Sequence, residues 1–558
     1  MNQKAITIGS GVTVLCMGAF IGIGYSLQQL SSRQYQLISE LKELKSGDLL
    51  TNIAMPTVIE KTVTKSELWR PIQDQVKDTV VQVFSQIAEV NIMEPFKSPQ
   101  IFSASGSGFF INDTGELITN AHVVSQAASV WIQIPSLGKR IIDVEVVGVS
   151  DRDIALLRIN PQDLESIKAA LGGHIPSLKL GNSDEVRRSD DVLALGYPLG
   201  QQSLKSTTGV ISGREQHMIQ MSAAINPGSS GGPLLNSLGQ VIGINTAGIT
   251  EAQNIGYIIP VNDLKIVLGD LRENKILRKP FLGVLYNNGT ETLTEYLGNP
   301  QPGGCYVVEV VKDSTLYKAG VQRGDMIYEL NSHRLDVYGD MTVPWSEDKI
   351  SIIDYVSRLK LGDQIKMVLY RKGQRKEVTV AFSQIELPAI RKVYPGYEEL
   401  DYEIIAGMVV MPLTLNHIHL LAQAAPGLTR YAEMKNQSEP ALLITHVFPT
   451  SQLYRSRTLT VGATINEVNG MPVKTLDDLR NAVKSAIGGK FLTFKAADNV
   501  SRTSENVFVA LPFEKVVDEE TRLSREYRYA LSKTVKEILQ VAQAKKEVTA
   551  APNKQQLA

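Results

Sequence analysis

Cysteine is almost absent from this chain: Cys16 and Cys305 are the two in 558 residues. One sits in an apolar N-terminal stretch and the other lies far downstream, so they are not placed to pair. No Cys/His spacing fits a zinc site. Neither a disulfide scaffold nor a structural zinc is therefore expected, and a chain of this length can bury its cores without disulfide staples. Neither sign of charge is in excess, with a formal net charge of −1. That removes the electrostatic reason to expect a nucleic acid or an anionic surface as partner. The length exceeds a single domain and predicts roughly three or four.

Long apolar runs are also scarce, with one exception. From Ala5 to Leu27 there is no charged residue, a stretch long enough to cross a bilayer as a helix. Lys4 precedes it, which favours an orientation with the bulk of the chain outside the cytoplasm. A cleaved signal peptide is the rival reading, with Gly22-Ile23-Gly24 as a small-x-small site. Next, Leu27, Leu30, Gln34, Leu37, Leu41 and Leu44 follow a 3-4 spacing, as a short coiled-coil seam or a lone amphipathic helix would. A linker follows from Gly47 through Pro56.

The stretch richest in chemistry is Asn226-Pro227-Gly228-Ser229-Ser230-Gly231-Gly232-Pro233-Leu234. Its glycines permit backbone conformations that a side chain forbids. They also let a substrate carbonyl approach main-chain N–H groups, and those of Gly228 and Ser230 are placed to hold an oxyanion. Upstream, Ile118-Thr119-Asn120-Ala121-His122-Val123-Val124 sets a histidine just after an apolar segment. Asp151-Arg152-Asp153-Ile154-Ala155-Leu156-Leu157 sets an aspartate at the mouth of a strand-like run. Alone, each has an ordinary reading: a packed histidine, a turn aspartate, a loop serine. In the order His122, Asp153, Ser230 they follow chymotrypsin-type triads rather than those of subtilisin or the α/β-hydrolases.

The blocks Gly106-Ser107-Gly108-Phe109-Phe110, Thr119–Val124, Asp153–Leu157, Leu195-Gly196-Tyr197-Pro198-Leu199-Gly200, Ala223–Gly228 and Gly243-Ile244-Asn245-Thr246 resemble the HtrA/Deg family of serine proteases. The resemblance is strong from about residue 75 to about 385 and weaker to about 515. It implies a mainly β chain: a chymotrypsin-like pair of six-stranded antiparallel barrels with the triad between them, then two PDZ-like α+β domains. Ser230 would attack the scissile carbonyl, His122 would take and return the proton, and Asp153 would hold the imidazole. The oxyanion turn would comprise Gly228, Ser229 and Ser230. No cofactor and no metal is implied. Two positions depart from the family pattern. Ser229 stands where Asn is usual, and Met221-Ser222 where relatives often have Thr-Asp. No acidic residue precedes Ser230, which argues against activation by a new N terminus.

Ala224 lies six residues before Ser230, where pockets for Lys or Arg carry a carboxylate. With Ile225, Asn245 and Thr246 as the other S1 and cleft residues, cleavage after small apolar residues is expected. The segment Asn254–Pro260 resembles the second pocket wall.

Phe281-Leu282-Gly283-Val284 resembles a PDZ carboxylate-binding loop, and Ala319-Gly320-Val321-Gln322-Arg323-Gly324-Asp325-Met326-Ile327 the turn and strand of family PDZ domains. Such a domain adds an extended peptide to a sheet edge. Ala463–Gly470 repeats the pattern of Asp325–Ser332, so a second, degenerate PDZ unit is expected, without a clear binding loop near Gly407. His417 and His419 are expected to share one face of a strand, without the further ligands a metal needs. Asn262 is the expected N-cap of a helix closing the protease domain.

The expected domains are a signal-anchor or signal peptide at 1–27, a juxtamembrane segment and linker at 28–70, and the protease at 71–278. PDZ units follow at 279–385 and 400–515, then a helical or disordered tail at 516–558. The resemblance implies an ATP-independent endopeptidase of the cell envelope acting on misfolded or damaged proteins. The first PDZ unit would take peptide C termini, the N-terminal helix the membrane, and the assembly would be a homotrimer or a multiple of trimers, without nucleic acid. If the N-terminal segment is cleaved, the protein is soluble in the periplasm. The alternatives are a catalytically quiet chaperone-like or peptide-binding scaffold, or a regulatory protease that makes one site-specific cut.

Overall fold

In the first barrel the apolar runs are continuous rather than alternating, and the structure explains why. The structure is a computed structural model that describes residues 65–248, 255–278, 282–360, 362–382, 387–500 and 506–550. The expected anchor, the juxtamembrane segment up to residue 64, Asn254, Phe281 and the end of the tail lie outside the described residues. Among the described residues no helix is long and apolar enough to cross a membrane.

The first barrel comprises β1 (Val80–Glu89), β2 (Gln100–Phe110), β3 (Glu116–Thr119), β4 (Ala127–Gln133), β5 (Ile142–Ser150) and β6 (Ile154–Ile159). Its strand order is β5-β4-β1-β2-β3-β6, closed by pairing of β5 with β6. The second is a closed barrel of β7 (Asp191–Gly196), β8 (Lys205–Glu215), β9 (Met218–Met221), β10 (Pro233–Leu235), β11 (Val241–Gly248) and β12 (Gly256–Pro260). Successive strand residues point to opposite faces. Val81, Phe110, Leu117 and Leu157 fill the first barrel. Their chain neighbours Val80, Phe109, Ile118 and Leu156 face the seam between barrels, against Leu193, Leu195, Leu235 and Ile244. Burying both faces removes the need for a polar side, at about 2 kcal/mol gained per fully buried large side chain.

The helix Val261–Glu273 closes this region, burying Val261, Leu264, Val267 and Leu271 on the seam. Its N-cap is Pro260, not Asn262. The Asn262 side chain instead donates to Asn182 Oδ1 (2.8 Å), and the Asn262 N–H donates to Ser183 Oγ (3.1 Å). A serine from a neighbouring loop thus does the work expected of a local cap. At the other end, a helix Lys65–Gln75 runs across the expected start of the protease region, and its Trp69 and Ile72 join the seam.

Two further sheets follow with matching strand order. The first runs Val284–Asn288, Cys305–Val310, Met326–Leu330, Gln364–Arg371, Gln374–Ala381. The second runs Met408–Pro412, Leu442–Val447, Thr464–Val468, Phe491–Ala497, Val507–Pro512, with one extra strand, Glu403–Ile405, on its outer edge. The loops that open the two units also match. Gly283 and Gly407 have positive φ (86° and 75°), and a Cβ on either would overlap a helix-capping serine, Ser314 or Ser451. A counterpart of the first unit's loop is therefore present at Ala406-Gly407-Met408, where none was expected.

The surroundings of the two loops differ. Val284–Asn288 is an edge strand, with no strand paired along its outer side among the described residues. Met408–Pro412 is paired on both sides, because Glu403–Ile405 lies along it with Ile405 opposite Met408. Arg480, on the helix Leu476–Lys484, clasps Glu403 (2.9 Å) and Asp401 (2.7 Å). The Ala406 N–H donates to the buried Glu520 carboxylate (2.7 Å). Glu520 belongs to the helix Phe513–Tyr527, which Arg528 (φ 56°) separates from the helix Lys533–Ala550.

His417 lies on the helix Leu415–Leu421, not on a strand, and with His419 forms no metal cluster among the described residues. Its Nδ1 accepts the Thr414 N–H (3.2 Å) and its Nε2 donates to the Ile92 carbonyl (3.1 Å). Ile92 belongs to the β1–β2 loop of the first barrel. In the same loop, Glu94 pairs with His446 (3.2 Å), and Phe96 packs edge-on against Phe448 (5.3 Å) and Tyr529 (6.1 Å).

Candidate active site

The turn Asn226–Ser229 is closed by the Ser229 N–H donating to the Asn226 carbonyl (2.9 Å). Pro227 and Gly228 fill its middle positions, and Gly228 has φ +95°. Proline second and glycine third is what a type II turn requires. The Pro227 carbonyl accepts the Leu199 N–H (2.6 Å). In a trans peptide the next N–H points the opposite way, so the Gly228 N–H faces away from Leu199. Among the described residues no acceptor takes the N–H of Gly228 or of Ser230. The N–H of Ser229, expected as part of the oxyanion turn, is instead committed to closing the turn. Ser107 locks this turn in place. Its hydroxyl donates to the Gly228 carbonyl (2.7 Å), and its N–H donates to the Ser230 carbonyl (2.8 Å).

His122 sits in a 3-10 turn, Ala121–Val123, directly after β3. Asp153 precedes β6 with φ +63°. This left-handed conformation, uncommon outside glycine, brings its carboxylate back over the histidine turn. Asp153 Oδ2 lies 2.8 Å from His122 Nδ1, and Oδ1 accepts the His122 N–H (2.9 Å). Asn120 Nδ2 and the Ala121 N–H both donate to the Asp153 carbonyl (2.9 and 3.2 Å). The carboxylate thus fixes both the ring and the backbone of His122, and leaves Nε2 for another partner. Among the described residues no hydrogen bond joins His122 to Ser230. The Ser230 hydroxyl donates instead to the Thr246 carbonyl (2.8 Å).

Thr246 and Asn245, expected at the cleft, both make hydrogen bonds within the fold. Thr246 Oγ1 donates to Asp153 Oδ2 (2.8 Å). Asn245 is fully buried, and its side chain donates to the Leu195 carbonyl (3.0 Å). Alternation along β11 turns it into the barrel. Ala224 is exposed, with its carbonyl taking the Thr207 hydroxyl (3.2 Å). Ile225 is half-buried and lies with Met221 beside Gly256, where a Cβ would come within 3.0 Å of Ile225 Cγ1. The residues at the second PDZ-like loop and those at Leu282, Gly283 and Val284 lie in separate sheets, away from this cluster in the chain.

Sequence reasoning missed Ser107, Leu199 and Thr246 as supports. Ser107 and Leu199 stood in the quoted family blocks without a role. Thr246 was expected at the cleft without these contacts, because its two hydrogen bonds depend on loops that meet only in the fold.

A family described as a trypsin-like peptidase domain matches residues 106–244, and one described as a PDZ domain matches residues 394–532. A probable periplasmic serine endoprotease, DegP-like, from Hahella chejuensis is 28% identical over 329 residues, covering 56% of this chain and 63% of that protein. Its counterpart from Pseudomonas fulva is 31% identical over 288 residues, covering 50% and 55%. Protease Do-like 2, chloroplastic, from Arabidopsis thaliana is 28% identical over 445 residues, covering 76% and 70%. Against the first two, this chain spans less than two thirds of the relative's length. Among solved structures, the HtrA-type protease AlgW with a decapeptide aligns over 56% of this chain and 98% of that one, at 26% identity and a TM-score of 0.43. With a trypsin-like peptidase domain ahead of a PDZ domain, and DegP-like endoproteases as relatives, this chain is similar to the HtrA/Deg family of trypsin-like serine proteases.

Proposed function

We propose that the chain is a serine endopeptidase of the cell envelope that cleaves unfolded or damaged polypeptides. The observation that carries this reading is the His122–Asp153 pair at 2.8 Å beside a turn whose Gly228 and Ser230 N–H groups have no acceptor among the described residues. For attack, the Ser230 hydroxyl leaves the Thr246 carbonyl and turns to His122 Nε2. As Oγ bonds to the scissile carbonyl carbon, its proton passes to Nε2 and the carbonyl electrons move to the oxygen, held by the two N–H groups. The C–N bond then breaks as the imidazolium returns that proton to the leaving amine. Water, deprotonated by the same nitrogen, hydrolyses the acyl-enzyme and regenerates Ser230.

Ile225 and Met221 beside Gly256 support a small apolar residue before the cleaved bond. The free edge of Val284–Asn288 supports peptide docking on the first PDZ unit. The relatives named periplasmic, together with the uncharged stretch Ala5–Leu27, support an envelope location with that stretch as anchor, and the family supports a trimeric assembly.

The test is labelling by a fluorophosphonate probe together with casein digestion. Wild type and Ser229→Ala are expected to label and digest, and Ser230→Ala to do neither. Wild-type protein that stays unlabelled with unfolded protein and PDZ-binding peptides present would favour a quiet scaffold instead.

A further inference from the structure

The three-residue turn that carries His122 is braced both from within its own barrel and from outside it. On one side the Ser85 hydroxyl donates to the Val123 carbonyl (2.7 Å). On the other, the Tyr397 hydroxyl donates to the Val124 carbonyl (3.1 Å). Tyr397 lies just ahead of the second sheet, within the stretch matched by the PDZ family, 273 residues from its acceptor. Its ring packs on the first-barrel core that contains Val123 and Val124.

The segment around Tyr397 is built to hold this position. Glu398 accepts from Arg278 (2.6 Å), Arg391 (2.9 Å) and the Tyr394 N–H (2.9 Å). Arg278 also donates to the Lys392 carbonyl (2.7 Å) and lies over the Tyr394 ring (5.1 Å). Gly396 has φ +87°, and a Cβ there would come within 3.1 Å of Gln126 Cα. The chain therefore runs against the backbone four residues past His122. Gln126 in turn accepts the Ala88 N–H on its carbonyl (2.9 Å) and the Val90 N–H on its side chain (3.0 Å). From the far side, Asn416 exchanges hydrogen bonds with the Val393 backbone (2.8 and 2.9 Å), which ties the segment to the second PDZ unit.

We propose that Tyr397 is a positioning residue for His122, so that the segment leading into the second PDZ sheet is part of the active-site architecture. It touches no reacting atom. It acts through the Val123-Val124 backbone, which sets where His122 Nε2 meets the Ser230 hydroxyl. Small displacements of a proton-transfer pair have large effects on rate. The proposal rests on the reading of His122 as the general base.

The experiment uses the full-length chain with Tyr397→Ala, Tyr397→Phe and Gly396→Ala. Three readouts are taken: the rate of fluorophosphonate labelling at Ser230, kcat and KM on a fluorogenic peptide, and Tm. Tyr397→Ala and Gly396→Ala are expected to slow labelling and lower kcat together, by about tenfold or more, with KM held within about twofold. Tyr397→Phe keeps the packing and is expected to recover most of the loss. Labelling and kcat at wild-type level in Tyr397→Ala and Gly396→Ala, with only Tm reduced, would overturn the proposal and leave Tyr397 a plain anchor. Should Tyr397→Ala fail to fold, Gly396→Ala decides alone, since it keeps the tyrosine and only moves it. A wild type that does not label at all sinks the protease reading and this proposal with it. A labelled wild type with unaffected variants sinks this proposal only.

Discussion

Thr246 holds Asp153 and Ser230, two of the three residues of the proposed triad, at once. Its hydroxyl donates to Asp153 Oδ2, and its carbonyl accepts the Ser230 hydroxyl, each at 2.8 Å. The first contact fixes the carboxylate that orients His122, and the second keeps the nucleophile turned from the imidazole. One residue of β11 therefore supports the acid and restrains the alcohol.

Replacing Thr246 by Val separates these two contacts, since it removes the hydroxyl and keeps the carbonyl. A hydrogen bond to a charged acceptor contributes about 1.5–3 kcal/mol. Because Asp153 is partly exposed, the low end applies, and kcat/KM is expected to fall about tenfold. Steady-state kinetics on a peptide substrate checks this, and an unchanged kcat/KM would show that the contact is idle.

Gly228→Ala tests the oxyanion turn. The residue has φ +95°, and a Cβ would stand 2.5 Å from the Tyr197 carbonyl. The turn must flip to admit it, which removes one oxyanion donor. Loss of one such donor costs about 10²–10³ in kcat. Circular dichroism should stay at wild type while kcat collapses. Retention of activity would mean that Gly228 contributes no donor.

The two PDZ units should behave differently toward peptides. A peptide with a free hydrophobic C terminus is expected to bind at the first unit's open edge, and its C-terminal amide to bind far more weakly. Ser314 sits against Gly283, so Gly283→Val should abolish this binding. Removing the Glu520 carboxylate with Glu520→Ala should add no second site, because Glu403–Ile405 still occupies the neighbouring edge. Calorimetry that found two peptides bound per chain would refute the self-filled reading of the second unit.

Acid and base should destabilise the fold through different groups. Burial raises the Glu520 carboxyl from 4.5 to about 8 against the opposing Ala406 N–H, and Glu519 and Glu403 push it further up. Its folded form holds a proton that the unfolded chain releases, so stability is lost as pH rises from about 4.5 through about 8. For His417, burial lowers the imidazole from 6.5 to about 4 against the Ile92 carbonyl. Its contribution is lost as pH falls from 6.5 through about 4. Burial would raise Glu116, but hydrogen bonds from Arg272, Arg158 and Asn112 bring it from 4.5 down to about 2, so its loss comes at still lower pH. Tm measured from pH 4 to 9 should be nearly level where the Glu520 and His417 windows overlap, from 4.5 to 6.5, and fall on either side. Glu520→Gln should flatten the alkaline limb, and the limb's survival would assign it elsewhere.

How much of this was legible without the fold depended on the range of each interaction. Gly228 was readable because a type II turn is decided within four residues. His122 and Asp153 were readable because each stands at the end of its own apolar run. The helix cap at Asn262 failed for the opposite reason, since its cap comes from Ser183 in another loop. Asn245 and Thr246 were assigned to the pocket wall because they sit in one short block. Strand alternation then sent one into the barrel and the other onto Asp153. The strand Glu403–Ile405 and the carboxylate of Glu520 carry no local mark of what they fill, and neither does Tyr397.

The hook formed by Ile92, Glu94 and Phe96 bears on how the chain is made. Its partners His417, His446, Phe448 and Tyr529 leave the ribosome hundreds of residues later, and the Ile92–His417 bond alone spans 325 positions. Contacts of such separation close late, after the local ones have formed. We expect a nascent chain released before the second PDZ unit to hold finished barrels, an open β1–β2 loop and a His122 turn without its Tyr397 brace. Synthesis order would then act as a timer, withholding full proteolytic competence until the last domain has been translated and has docked.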